Sequence, residues 1–388
     1  MAKRIDTLMA LLRYAVCGTA PADSVVASAA AELEPLYQIA AHHDVAHLLS
    51  DALWKCGAFS GRAQDVTVQK LQRSQMAAIY RHEQLNAAFS TFASAMEAVQ
   101  IPYLPLKGTV LCDLWPEPWM RTRCDMDILV HEADLPRVVG CLTETCGYQR
   151  KGRSAHDELL LSPEGIHLEL HFNTIEQGRA GKSGDVLCEI WQHAQPVGNT
   201  TQYALDSDFF YFYHIAHMAK HFEDGGCGIR PFFDLWLLNH KVDCDAKGRD
   251  ALLQRGGLLK FATACTQLSE VWLSNAAPTE LSATLQRFIL TGGVYGNLDN
   301  MVAVQRQQEG GALGYVGARL FWPYHRMRDK YPILRRRPYL LPVMHLRRFF
   351  EMVSDGRIHR TTRELKLNRS VSPGRQQEIN ALLDQLEL

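Results

Sequence analysis

Apolar residues recur at helical spacing over the first quarter of the chain. Ile5, Leu8, Met9, Leu12 and Val16 fall on one stripe, and Leu71, Met76, Ile79, Tyr80, Leu85, Phe89, Phe92 and Met96 mark one long amphipathic helix. Residues 1–98 are therefore expected to be helical throughout. The texture then changes. The run 101–106 reads as a strand and turn ended by Lys107-Gly108, and 109–115 as a short helix that Pro116 and Pro118 break into a loop, 116–123. DMDILV (125–130) is a second strand. A helix follows from about 131 to 146, closed by Gly147. Segments 148–153 and 158–161 are strand candidates, Pro163-Glu164-Gly165 is a tight turn, and IHLELHF (166–172) alternates apolar and polar with period 2. Helical texture returns from Asp206 to about Gln308, with Asp206 and Ser207 as N-caps and Pro231 in the first turn of the next helix.

This pattern predicts an α+β fold, a small mixed sheet between mostly helical N- and C-terminal regions. The divisions expected are 1–98, 99–204 for the sheet core, 205–353 for the C-terminal helices, and a polar, weakly ordered tail over 354–388. The chain has 388 residues, 47% of them apolar and 21% charged, enough for a sizeable core. A net charge of −1 argues against general electrostatic binding to nucleic acid while permitting a local basic patch. The 10 cysteines form no C-x-x-C pair and read as buried thiols of a reducing compartment. The basic start reads as an amphipathic helix and not as a signal peptide, and no apolar run reaches the length of a membrane span. A cytoplasmic protein is expected.

Three constellations carry candidate chemistry. Asp125 and Asp127 stand at i and i+2 of a strand, so both point to one face, at the mouth of an apolar run. Two carboxylates there repel unless a cation neutralises them or water solvates them, and a hard divalent cation such as Mg²⁺ suits them. Glu169 shares a face with His167 and His171. It is either a third carboxylate for a two-metal phosphoryl-transfer site, part of an exposed polar face, or part of a His/Glu/His zinc site. Lys107-Gly108-Thr109 follows a strand and opens a helix, a turn in which glycine allows a phosphate to approach the backbone. Further along, His214, His217 and His221 lie at i, i+3 and i+7 with Lys220 beside them. Arg230 and Asp234 are four apart, as a structural ion pair or with Arg230 facing phosphate. Residues 319–348 hold nine Arg or Lys against one acid, Asp329, with aromatics interleaved. They form either a solvated face or a seat for an anionic partner such as RNA, phospholipid headgroups or a phosphorylated carbohydrate.

The order of these signals resembles the nucleotidyltransferase superfamily of DNA polymerase beta and the kanamycin nucleotidyltransferases. The stretches LPLKGTVLCDLWPEPWMRTRCDMDILVHEADL (104–135), HLELHF (167–172) and HIAHMAKHFEDGGCGIRPFFDLWLL (214–238) are most similar to its bacterial group of uncharacterised nucleotidyltransferases. The resemblance implies metal-dependent transfer of an NMP from an NTP, ATP by default, to an acceptor hydroxyl with release of pyrophosphate. It implies that Asp125, Asp127 and Glu169 hold Mg²⁺, with Glu169 also activating the hydroxyl. Lys107, Gly108, Thr109, Arg121, Lys220, His221 and Arg230 would meet the nucleotide. The acceptor stays open among a small molecule, a sugar phosphate, a protein side chain and an RNA end. The turn departs from the usual G-G or G-S, and the gap from Gly108 to Asp125 is longer than usual. A binding module that keeps the fold without the chemistry is the alternative reading.

Overall fold

The helical stripe at the start of the chain folds as its spacing predicts. The computed structural model describes residues 2–174, 181–294, 296–354 and 358–388. The expected core window 99–204 thus includes 175–180, and the expected tail includes 355–357, which lie outside the described residues. Helices α1 (Ala2–Cys17), α2 (Asp23–Ala31), α3 (Leu33–His42) and α4 (Ala46–Lys55) lead to α5 (Val66–Val99). Leu8, Met9, Leu12 and Val16 of the first stripe are buried. Helix α5 has 34 residues and starts on the side chain of Asp65, which accepts from the Thr67 and Val68 amides. Its first turns place Val68 and Leu71 in the core of the helical region, and its second half places Leu85, Phe92 and Met96 under the sheet. Met76 and Tyr80, expected on the buried stripe, are instead exposed. They fall in the middle of α5, where it passes from one core to the other.

The sheet contains β1 (Tyr103–Pro105), β2 (Asp125–Val130), β3 (Gln149–Arg153), β4 (Asp157–Leu161) and β5 (His167–His171), in the order β1-β2-β5-β4-β3. Helix α6 (Gly108–Leu111) follows β1, and α7 (Leu135–Thr145) follows β2. The pairing of β2 with β5 is parallel and the other pairings are antiparallel, so the sheet is mixed. Alternation assigns its two faces. Met126, Ile128, Val130, Leu168 and Leu170 pack with α5 and α7 in one apolar core. Asp125, Asp127, Glu169 and His171 therefore occupy the opposite face. A short helix, α8 (Lys182–Leu187), and a two-stranded ribbon, β6 (Ala194–Pro196) with β7 (Tyr203–Leu205), complete this part.

Helix α9 (Ser207–Glu223) begins on the expected cap, Asp206 accepting from the Phe209 amide, and α10 (Arg230–Lys241) carries Pro231 in its first turn. They are followed by α11 (Ala246–Arg255), α12 (Leu259–Leu273), α13 (Glu280–Gly292), α14 (Leu298–Gln308), α15 (Ala312–Leu320), α16 (Tyr324–Lys330), α17 (Leu341–Ser354), α18 (Ile358–Ser370) and α19 (Pro373–Leu386). The tail is not the weakly ordered segment expected from its polarity. Ile379, Leu382, Leu383 and Leu386, spaced i, i+3, i+4 and i+7, are buried in the main helical core.

One buried ion pair ties the sheet to these helices. The Asp234 side chain on α10 has none of its surface exposed. It accepts from Arg121 through Nε and Nη2, both at 2.8 Å, and from Trp115 Nε1 at 2.8 Å. Asp234 thus pairs with Arg121, not with Arg230. Arg230 instead donates through Nη1 to the Thr122 carbonyl and hydroxyl and pairs with Asp44 at 3.2 Å. The loop leading into β2 is in this way held by two residues of α10. Removing one partner of a buried, hydrogen-bonded pair leaves the other charge uncompensated. We expect Asp234→Asn to destabilise the protein by about 3–5 kcal/mol in denaturant titrations, and a double change, Arg121→Met with Asp234→Leu, to recover much of that loss.

Buried histidines pin other contacts. His43, His47 and His214 each hold Nε2 against a carbonyl: Leu290 at 3.2 Å, Met120 at 2.7 Å and Pro231 at 2.9 Å. Burial lowers the pKa of all three, that of His43 to about 4. Between that value and the ordinary 6.5 the unfolded chain binds a proton at His43 that the native state refuses. Stability from this group is therefore lost as pH falls through the window, by up to about 1.4 kcal/mol per pH unit. Replacing His43 by Gln, which can still donate to Leu290, should flatten the pH dependence of the unfolding free energy between pH 6.5 and 4 without changing its value at pH 8.

Candidate active site

The polar face of the sheet opens on a cavity of about 490 Å³, within the range of small-molecule sites. Strand register builds its floor. Asp127 on β2 stands directly beside Glu169 on β5, with Asp125 beside His167 and Leu129 beside His171. The next strand, β4, sets Asp157 opposite His171. Asp125, Asp127, Glu169, His171, His156 and Asp157 all line the cavity. The opposite wall is α9, from which Tyr213, His217, Lys220 and His221 face in, all on one side of the helix at i, i+4, i+7 and i+8.

The turn between β1 and α6 brings in a cation. Lys107 has φ +47° and ψ −122°, a left-handed conformation that costs a non-glycine residue on the order of 1–3 kcal/mol. The Leu106 amide donates to the Asp127 carbonyl at 2.9 Å, and the amides of Val110 and Leu111 hold the Lys107 carbonyl. So aimed, Lys107 Nζ donates to Asp127 Oδ1 at 2.6 Å. His171 Nε2 lies 3.0 Å from the same oxygen and 3.6 Å from Glu169 Oε2. Gly108 lets Arg121 pass close by: a Cβ there would meet Arg121 Nη1 at 2.5 Å. Since Nε and Nη2 are committed to Asp234, Nη1 is the guanidinium edge presented at the turn.

Charges in this site are strongly coupled. Burial opposes ionisation of Asp127, but Lys107 and then His171 overcome it and hold the carboxyl well below the usual range. Burial likewise opposes the Lys107 ammonium, and Asp127 more than compensates, so Lys107 stays charged. Asp125 is raised by burial and by the neighbouring Asp127. Glu169 is pushed up to about 7 by burial and then by Asp127. Burial, followed by Lys107, lowers His217 far enough to keep it neutral, and its Nε2 lies 3.2 Å from His221 Nε2. Asp125, Asp127 and Glu169 crowd together around the Lys107 ammonium, and protons or a divalent cation can relieve their mutual repulsion. The donor set fits such a cation. Asp127, Glu169 and His171 each bring a ligand atom within 4.8 Å of the others, and so do His156, Asp157 and His171. Among the described residues Asp125 enters neither group, although it lines the same cavity.

Of the residues expected at a nucleotide site, Lys107, Gly108, Arg121, Lys220, His221 and Arg230 line the cavity as well. Thr109 does not, and its buried hydroxyl has no hydrogen-bond partner. His167 is exposed at the outer end of β5. His214 is held by Pro231, and among the described residues neither His217 nor His221 joins a metal group. No described residue of 319–348 lines the cavity. Reasoning from sequence passed over His156, Asp157 and Tyr213. The antiparallel hairpin of β4 and β5 could have placed Asp157 beside His171, whereas Tyr213 is hidden within the run FFYFYH, which reads as core.

A family model described as "Uncharacterised nucleotidyltransferase" matches residues 29–274. No match was found among curated proteins, and none among solved structures. The matched span takes in the sheet, the Lys107 turn, the acid–histidine groups on β2, β4 and β5, and the Arg121–Asp234 clamp. With well over half of the chain inside that span and the D-x-D strand paired with Glu169 at its centre, the chain belongs to the uncharacterised nucleotidyltransferase family.

Proposed function

We propose that the protein transfers a nucleoside monophosphate from an NTP to an acceptor hydroxyl, releasing pyrophosphate, with Mg²⁺ held by Asp127 and Glu169 beside His171, and with Asp125 facing the same cavity as a further carboxylate. The observation that carries this reading is the side-by-side placement of Asp127 and Glu169 on parallel strands facing one cavity. Bound there, a divalent cation supplies charge neutralisation at the phosphates and lowers the pKa of a coordinated hydroxyl. The acceptor oxygen forms a bond to the α-phosphorus, the bond to the bridging oxygen breaks, and pyrophosphate leaves with that electron pair. Glu169, with a pKa close to neutrality in the free protein, takes the proton of the acceptor hydroxyl. Lys107, the backbone at Gly108 and Arg121 Nη1 form one flank for the phosphates, and Lys220 and His221 of α9 form the other. Arg121 is suited to this because Asp234, itself held by the Trp115 indole, fixes its plane before a ligand arrives.

A second reading, a nucleotide-binding module without chemistry, draws on one observation: Asp127 already has a cation in Lys107 at 2.6 Å. Glu169→Gln separates the two, because its side chain is one-third exposed and neither anchors the fold nor pairs with Lys107. Nucleotidyl transfer predicts that Glu169→Gln lowers pyrophosphate release at least about 100-fold, with α-phosphate label no longer reaching the acceptor fraction. Unchanged release would overturn the assignment. Each NTP with Mg²⁺ should also raise stability in thermal titrations, by about 2.7 kcal/mol at a hundred times its Kd. Stabilisation by nucleotide in wild type and variant alike, with no pyrophosphate released by either, would select the binding module.

A further inference from the structure

Helix α17 presents an apolar stripe to solvent. Val343, Leu346, Phe350 and Val353, at i, i+3, i+7 and i+10, are 51, 60, 76 and 58% exposed, and Tyr339 just before the helix is 73% exposed. The opposite face of the same helix is already used. Leu341 and Met344 pack on the small core of Met327, Tyr331 and Leu334. Arg348 lies buried over the Trp322 ring and donates to the carbonyls of Arg319 and Leu320. Glu351 receives Lys330, Arg347 and the Tyr331 hydroxyl, so the helix is fixed in orientation. The stripe is therefore a rigidly held surface feature. Soluble proteins seldom expose contiguous apolar patches of this kind without a use for them.

Its surroundings are cationic. Arg335, Arg336 and Arg337 lie exposed immediately ahead of Tyr339, and Arg347 borders the stripe on the helix. From 319 to 354 the chain carries nine Arg or Lys against two acids, Asp329 and Glu351. Several of the nine are engaged within the protein. Arg348 is buried, Arg319 pairs with the Glu364 carboxylate, and Lys330 and Arg347 share Glu351, while Arg336 and Arg337 are exposed. The helix carries aliphatic and aromatic side chains outward, with an exposed tyrosine just before it and exposed arginines just before that in the chain. That is the form of an interfacial helix, whose apolar face enters the boundary between headgroups and acyl chains while its cations meet anionic headgroups.

We infer that α17 and the preceding arginines dock the protein on an anionic lipid bilayer, with Tyr339, Leu346 and Phe350 entering the interface and Arg336 and Arg337 meeting lipid phosphate. The inference is independent of the chemistry proposed for the sheet. Sedimentation of the full chain with vesicles tests it. The protein should co-sediment with phosphatidylcholine vesicles containing 30% phosphatidylglycerol and not with pure phosphatidylcholine, and 0.5 M NaCl should weaken binding about ten-fold or more. Leu346→Ser with Phe350→Ser, and separately Arg336→Glu with Arg337→Glu, should each lower partitioning at least about ten-fold while leaving the thermal midpoint and any nucleotide response unchanged. If a serine variant unfolds, Tyr339→Ser, outside the helix, carries the same expectation. Failure of the wild-type chain to bind anionic vesicles would overturn the proposal and turn attention to an acidic protein partner, as would full binding by folded apolar variants.

Discussion

Asp234 carries its charge where no water reaches it, and much of the architecture follows from how that charge is met. A carboxylate in such a place must be matched by a cation with the right geometry or it unfolds the region around it. Arg121 supplies two parallel hydrogen bonds and Trp115 a third, and those residues sit at the two ends of the loop that enters β2. The clamp therefore fixes where β2 begins. It also fixes the plane of the guanidinium that passes over Gly108 beside the Lys107 turn. One buried contact thus sets the helical region against the sheet and shapes the wall of the cavity.

The chemistry of the cavity rests on a similar balance, in a more sensitive form. Asp127 is ionised because Lys107 and His171 surround it, while Asp125 and Glu169 hold their protons more tightly because they are buried and, second, because Asp127 is charged. The three carboxyls cannot be treated as independent acids, and their behaviour belongs to the group. A site of this kind changes protonation readily when a cation or a phosphate enters. The left-handed backbone at Lys107 is the cost of placing an ammonium there in advance.

Much of this was legible in the sequence, and for identifiable reasons. Strands β2 and β5 were legible because each has an apolar face, so strand geometry put Asp125 with Asp127 and Glu169 with His171, while the meeting of the two sets came from the family resemblance and is seen in the pairing of β2 with β5. Gly147 and Asp206 marked helix ends because a positive φ and an unsatisfied amide have few chemical solutions. What escaped was set at long range. Nothing local links Arg121 to Asp234 across 113 positions, and the four-residue spacing to Arg230 pointed to the wrong partner. The ribbon of β6 and β7 has three residues per strand, too few for a period. Helix α19 was obscured because composition averages over a segment, whereas burial selects four positions of it. The two faces of α17 were equally hidden, since a count of arginines does not say which of them already have partners.

The parallel register of β2 and β5 has an evolutionary corollary. Glu169 faces Asp127 only because an integral number of residues separates it from the start of β5, and its neighbours Leu168 and Leu170 lie in the opposite core. Substitutions around the cavity alter it one group at a time. An insertion or deletion of a single residue at the entry to β5 would turn every side chain of the strand over, exposing leucines and sending Glu169 and His171 into the apolar layer. Relatives that keep this site should therefore vary freely in the identity of residues along the 162–166 turn but very little in its length.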